Sequence, residues 1–167
     1  MGYADAVARE VAWLNDDLTG LPVPIPALDK AHGGPFDVIK AFGRAPSRRV
    51  QGRTLFVSRE RVTEVRVALQ QKQHVHQMRL KIGWPIRSTT QEADLANLDA
   101  ALELLLDRIR GPIGDKTHGG RFQSVAEGED NGQPQIQVQY DEPELVDDAG
   151  RSDVFVRYLA GDLFFTA

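Results

Sequence analysis

The sequence contains no cysteine, which excludes a disulfide framework and any metal site built on thiolate ligands. Aromatic residues make up only 7%, and no segment interleaves them with basic residues as single-strand nucleic-acid binders do. The net charge of −4 lacks the basic surplus of dedicated nucleic-acid-binding proteins. No apolar run approaches the roughly 20 residues of a membrane span, and the N-terminus lacks the pattern of a signal peptide. We therefore expect a soluble protein that is made in a cytoplasm and does not associate with a membrane.

What the sequence does contain suits one ordinary globular domain. Its length is 167 residues, of which 41% are apolar and 26% are charged. We expect a single domain over residues 1–167. Residues 19–53 are its least regular part, with alternating prolines, a glycine turn and several arginines. This segment is expected to be an extended arm or loop, which either lies on the surface or orders against a neighbouring subunit.

Two segments have the periodicity of amphipathic helices. In residues 4–18, spacings of three and four predict one apolar face, with Glu10 on the opposite face. That apolar face consists of Val7, Val11, Leu14 and Leu18. A longer helix is predicted over residues 92–110, begun by a capping box of Thr89 and Glu92. Its apolar stripe consists of Leu95, Leu98, Leu102, Leu105, Leu106 and Ile109. A stripe of this length predicts a helix packed across a sheet.

Alternating apolar and polar residues predict the first strands of that sheet. Residues 54–58 predict a short strand. Residues 62–69 and 75–84 predict a half-buried antiparallel pair, which we expect Pro85 to end.

The second half of the chain predicts further strands over residues 122–126 and 136–140, around a turn at 128–132. The last strand begins at Val154 and has apolar side chains on both sides. An apolar tail is expected to be held in a sheet or an interface, since free termini are usually polar and frayed. The predicted class is α+β, with an antiparallel or mixed β-sheet, an N-terminal helix and one long helix packed on the sheet.

Candidate chemical sites are weak. His74 and His76 stand two residues apart on one strand, so they point the same way and would suit a zinc ion. No third ligand lies near in the sequence, and we expect both to be solvated strand histidines. His32 and His118 each precede two glycines and are interpreted as loop residues. We predict no catalytic, cofactor-binding or metal-binding residue, and expect the protein not to be an enzyme.

Four segments carry a resemblance to a known family. They are HQMRLKIGWP at residues 76–85, the helix at 92–110, HGGRF at 118–122 and VRYLAGDLFFTA at 156–167. In this order they resemble the tail terminator (tail completion) proteins of long-tailed, siphovirus-type bacteriophages, in the version found in phages of actinobacterial hosts. The resemblance covers residues 53–167 well and the N-terminal helix loosely.

The resemblance implies a structural virion protein assembled in the host cytoplasm. Such proteins form a hexameric ring on the head-proximal end of the tail tube, where they terminate tube polymerisation. The ring also joins the tail to the head-completion proteins of the neck, and genomic DNA passes through its lumen without sequence-specific binding. The implied partners are further copies of the chain, the tail tube protein and the head-completion or connector proteins.

Two alternatives remain open at this point. In the first, the chain is another head–tail connector or neck protein, such as a head-completion or stopper protein. In the second, it is a small ligand-binding α+β domain. For the ring, two predicted sets of interface residues follow from charge and apolarity. Oppositely charged side chains of adjacent subunits are expected to meet, namely Arg44, Arg48, Arg49 and Arg53 with Asp147 and Asp148. A core or subunit interface is expected to bury Leu163, Phe164 and Phe165.

Overall fold

The computed structural model describes residues 3–41, 52–110, 116–130, 133–135, 138–140, 144–145 and 154–166. These residues contain helices α1 (Tyr3–Asn15) and α2 (Gln91–Arg110) and a mixed β-sheet, which confirms the predicted α+β class. Both helices share one hydrophobic core with the sheet. Neither helix of the described residues has the length and apolarity needed to cross a membrane.

The sheet is built around a long hairpin. Its strands are β1 (Val38–Ala41), β2 (Thr54–Ala68), β3 (Gln71–Arg87), β4 (Ser124–Asp130), β5 (Gln133–Gln135), β6 (Val138–Tyr140), β7 (Glu144–Leu145) and β8 (Val154–Thr166). Their order is β1-β2-β3-β8-β4-β5, and β6 and β7 also pair with β8. β1 runs parallel to β2, whereas the other pairs are antiparallel.

Strand β8 lies inside the sheet, as expected for an apolar tail. One edge pairs with β3 along its whole length, from Val154 opposite Arg87 to Thr166 opposite Val75. The other edge pairs in succession with β7, β6 and β4. The backbone of the tail is therefore held on both sides.

Several predicted strand boundaries are wrong. The strand predicted at 122–126 is β4, which runs over Ser124–Asp130 and so includes part of the turn predicted at 128–132. The strands predicted at 54–58 and 62–69 are one continuous strand, β2. β3 does not end at Pro85 but continues to Arg87. Pairing with β2 stops at Gly83, opposite Thr54, while pairing with β8 continues. Pro85 therefore has no β2 residue beside it, and a proline without an N–H is tolerated in such an edge-like position.

The core lies between the helices and one face of the sheet. On β3 the predicted alternation is confirmed, because the buried residues are Met78, Leu80, Ile82 and Trp84. On α2 the buried apolar residues are Leu98, Ala101, Leu105 and Ile109. Full burial of a large apolar side chain contributes about 1.5–3 kcal/mol, so this layer is a major source of stability.

Part of the predicted arm belongs to this core. Residues Ala27, Leu28, Phe36 and Ile39 are buried, and the Phe36 ring packs edge-on against Trp84 with centroids 5.9 Å apart. Phe36 and Leu28 are joined by a backbone hydrogen bond of 3.0 Å. Within the same arm, Val38–Ala41 forms strand β1. By contrast, Leu21 and Val23 are exposed.

Both helices differ locally from their predictions. α1 ends at Asn15, three residues before the predicted end, where the Asn15 amide donates to the carbonyls of Val11 and Ile39. At the start of α2, the hydrogen bonds involve Asp94 in place of the predicted pair of Thr89 and Glu92. The Asp94 carboxylate accepts from the Thr90 hydroxyl at 2.8 Å and from the Arg87 N–H at 2.9 Å.

Candidate functional site

Only some of the predicted interface residues are described. Five lie outside the described residues, namely Arg44, Arg48, Arg49, Asp147 and Asp148. Arg53 is described, and its guanidinium carbon lies 4.5 Å from the centre of the Trp84 ring. This cation–π contact anchors the Arg53 side chain on its own chain. The expected contact between these arginines and the acidic residues of a neighbouring subunit stays a prediction.

The apolar set of predicted interface residues occupies the end of β8. On the β3 side, Leu163, Phe164 and Phe165 stand opposite Met78, Gln77 and His76. On the β4 side they stand opposite Glu127, Ala126 and Val125. The structure thus places the backbone of all three in the interior of the sheet, and the burial of their side chains stays a prediction.

A buried polar cluster joins α1 to the loop of residues 117–122. Its members are Glu10, Trp13, Arg108 and His118, each at most 3% exposed. Three consecutive loop residues have positive φ, which are His118 at 49°, Gly119 at 69° and Gly120 at 78°. A Cβ on Gly119 would come within 3.2 Å of the Trp13 ring. Glycine is therefore required there both by the backbone conformation and by the close approach of Trp13.

His118 is held at both ring nitrogens. Nε2 lies 2.8 Å from the Ile109 carbonyl oxygen, and Nδ1 lies 2.8 Å from Oε2 of Glu10. Because a carbonyl only accepts hydrogen bonds, Nε2 carries a proton. A second proton lies between Nδ1 and the carboxyl group. The pair is therefore an imidazolium with a carboxylate, or a neutral imidazole with a carboxylic acid.

Trp13 lies at the centre of this cluster. Its ring stacks on His118 with centroids 5.2 Å apart and an interplanar angle of 16°. The Arg108 guanidinium carbon lies 5.2 Å from the Trp13 ring centre, and Arg108 Nη2 donates to the Asp16 carbonyl at 3.0 Å. Burial lowers the pKa of Arg108, while the nearby carboxylates, Asp16 first, act in the opposite direction. The cation is thus held in the interior by a ring face and a backbone carbonyl, and the charges of nearby carboxylates favour it.

The rim of the cluster adds two further links between α1 and the loop. Arg121 Nη2 donates to Oδ2 of Asp16 at 2.6 Å. Arg9 Nη1 donates to the Arg121 carbonyl at 2.8 Å, and the Arg9 guanidinium lies over the Phe122 ring. The whole arrangement clamps α1 to the loop. Since both nitrogens of His118 already have protein partners, the ring is poorly placed to exchange protons with a substrate.

The prediction that Glu10 lies on the polar face of α1 is wrong, and the interpretation of His118 as a simple loop residue misses its burial. A signal for Glu10 is present in the sequence. Ala6, Glu10 and Trp13 follow spacings of four and three, which places them on one face. The partner of Glu10 is 108 residues away, and single-sequence periodicity does not reveal such a distant partner.

His74 and His76 do point the same way, with ring centroids 6.3 Å apart. The prediction that both are solvated is wrong for His76, which is 3% exposed. Burial lowers the pKa of His76, and the charges of His74, Arg9 and Arg59 lower it further. In the described part of the chain, no three side chains capable of holding a metal ion come together.

The lowered pKa of His76 predicts a loss of stability in acid. Below the ordinary histidine pKa of about 6.5, the unfolded chain binds a proton that the folded chain resists. The free energy of unfolding should therefore fall by up to about 1.4 kcal/mol per pH unit as the pH drops below that value. Urea unfolding at pH 7.5 and 5.5 measures the difference. His76→Gln should remove this contribution. His32→Gln should keep it and lose slightly more stability in acid, because the Asp29 carboxylate raises the pKa of His32. An equal acid loss in His76→Gln would contradict the assignment.

The hairpin of β2 and β3 extends beyond the rest of the described sheet. β3 pairs with β8 only as far as Val75, but its pairing with β2 continues to the turn at Leu69 and Gln70. The predicted antiparallel pair is confirmed, but its half-burial is wrong at this end. Val65 is 44% exposed, Val67 61% and Leu69 91%. These three residues are called the hairpin tip below.

Comparison of the sequence with protein-family models finds no match, and comparison with curated proteins finds none either.

Proposed function

We propose that this chain is a structural virion protein that caps the head-proximal end of a phage tail tube. In this role it terminates tube polymerisation and forms the hexameric ring that joins the tail to the head-completion proteins of the neck. DNA crosses the ring lumen without sequence-specific contacts. The chain acts by assembly and not by catalysis.

The observation that carries this proposal is the projecting apolar hairpin. A soluble monomer usually keeps contiguous apolar side chains covered, and an uncovered set marks a surface for a partner. Here the set is carried by a long paired element that extends beyond the rest of the described sheet. A protein that joins neighbouring subunits and a tube end needs such a surface.

The position of the family-like segments gives further support. Residues 76–85 and 156–167 contribute to β3 and β8, whose paired residues lie side by side. The HGGRF segment forms the loop clamped onto α1. The segments that resemble tail terminators thus belong to the framework of the fold, which is what a shared architecture requires.

The test is to locate the chain in phage particles. Virions or tails from a lysate in which the chain is made should carry a label for it in one ring at the head-proximal end of the tail. Loss of the chain should yield overlong tubes, because polymerisation is no longer stopped. Electron microscopy measures both the position of the label and the tube length.

Two results would contradict the proposal. A label on the portal side, with normal tail lengths in the absence of the chain, would make it a connector or stopper of the neck. Absence of the label from purified virions would exclude a structural virion role.

A further inference from the structure

We infer that the hairpin tip of one copy docks against an apolar patch at the opposite end of the sheet on the next copy. The large apolar side chains that are exposed among the described residues fall into two groups. One is the hairpin tip, formed by Val65, Val67 and Leu69. The other, called the base patch below, is formed by Leu21, Val23 and Val38.

Register places Val38 and the hairpin tip at opposite ends of β2. Val38 stands opposite Thr54, the first residue of β2, whereas the hairpin tip surrounds its last residues. Leu21 and Val23 follow α1, whose last residue, Asn15, donates to the Ile39 carbonyl and so fixes this end of α1 beside β1. β2 has 15 residues, and at about 3.3 Å per residue it spans about 50 Å. The two groups therefore do not cover each other within one copy.

The charges beside the two groups also favour contact between the hairpin tip of one copy and the base patch of the next. Near the hairpin tip, Arg61 and Arg66 are exposed and form no ion pair within the described residues. Near the base patch, Asp17 is exposed, and its carboxylate accepts hydrogen bonds from the Thr19 hydroxyl and N–H. Asp17 likewise has no ion-pair partner in that part of the chain. Docking would bring the exposed Arg61 and Arg66 of one copy to the exposed Asp17 carboxylate of the next.

A contact between two different surfaces of the same chain is heterologous, so it propagates from copy to copy until a ring closes. Closure into a ring rests on the proposed function. The contact itself rests on the apolar groups, their separation and the charges beside them. A second copy is thus the occupant of both surfaces.

Absence of native cysteine makes a direct test possible. Full-length Val23→Cys and Leu69→Cys proteins are mixed and oxidised, and disulfide-linked dimers are separated on a gel. Mixed dimers of the two variants should exceed either self-linked dimer. The double variant should give a ladder of linked copies and no internally linked monomer, because position 69 follows the far end of β2, which spans about 50 Å.

The matched control places the second cysteine outside both groups, at exposed Glu103 on α2. If Leu69→Cys links to Glu103→Cys, or to itself, as readily as to Val23→Cys, the proposed contact is wrong. A second control adds Val67→Lys to the Leu69→Cys protein. Val67 is exposed, so this replacement should not impair folding. It should reduce linking to Val23→Cys by about tenfold, the factor that ~1.4 kcal/mol of association free energy gives. Unchanged linking would also overturn the inference.

These results are independent of the virion test. If the cysteine variants link at the expected positions but the chain is absent from virions, the contact between copies is supported and the terminator role is wrong. If virions carry the label in one ring but the cysteine variants do not link, the terminator role is supported and the proposed contact is wrong.

Discussion

Alanine at either Glu10 or His118 is expected to lower the free energy of unfolding by about 3–5 kcal/mol, because removing one partner leaves the other buried and uncompensated. Both side chains are completely buried. Since small domains are stable by only about 5–15 kcal/mol, this is a large part of the total. Urea unfolding at neutral pH measures the loss.

An exposed pair provides a matched control. His32 Nδ1 lies 2.8 Å from Oδ1 of Asp29, the same separation as in the buried pair, but His32 is accessible to water. His32→Ala should therefore cost far less than His118→Ala, because water replaces the lost partner. Equal losses in the two variants would show that burial does not decide the contribution of the pair.

Glutamine at position 10 separates hydrogen bonding from charge. Its amide can donate to Nδ1 of a neutral His118, while Nε2–H continues to donate to the Ile109 carbonyl. Glu10→Gln should therefore recover much of the stability that Glu10→Ala loses. If the two variants were equally unstable, the role of Glu10 would be that of a negative charge beside Arg108 and not that of a hydrogen-bond partner.

Deletion of residues 163–167 is expected to abolish cooperative folding. The deleted segment pairs with Val75–Met78 positions of β3 on one edge and with the start of β4 on the other. Each lost hydrogen bond contributes about 0.5–1.5 kcal/mol net, and the deletion would leave the edge of β3 beside buried Met78 without its partner strand. Together these losses approach the whole stability of a small domain.

Circular dichroism during heating measures this loss, and deletion of Ala167 alone is the control, because it leaves every described pair of β8 in place. A cooperative transition in the chain without residues 163–167, near that of the control, would show that the end of β8 contributes little to folding. The expectation that Leu163, Phe164 and Phe165 lie in a core or interface would then be wrong.

The elements predicted well are those in which local pattern and tertiary environment agree. α2 differs from its prediction by one residue at its start, because much of its apolar stripe is the buried face. Leu98, Leu105 and Ile109 of the predicted stripe are buried, whereas Leu95, Leu102 and Leu106 are half-buried. The alternation of Met78, Leu80, Ile82 and Trp84 likewise corresponds to the buried face of β3. In both elements, apolar residues recur in the sequence at the spacing at which the fold buries side chains.

The features that were missed depend on distant partners. Pro85 continues a strand because β2 ends beside it, which requires knowledge of the register. Val65 and Val67 alternate like half-buried strand residues but lie where no described layer covers them. The Glu10–His118 contact joins residues that are far apart in the sequence. Periodicity describes one element at a time, so it does not reveal which elements meet.

The position of β8 has a consequence for synthesis on the ribosome. Strands β3, β4, β6 and β7 are all made before β8, yet each of them pairs with it. Until β8 emerges, one edge of β3 stays open and the later short strands lack their common partner. Pairing between segments so far apart in the sequence is slow, and open strand edges favour association with other chains. Premature termination before β8 would therefore yield a chain that is prone to aggregate.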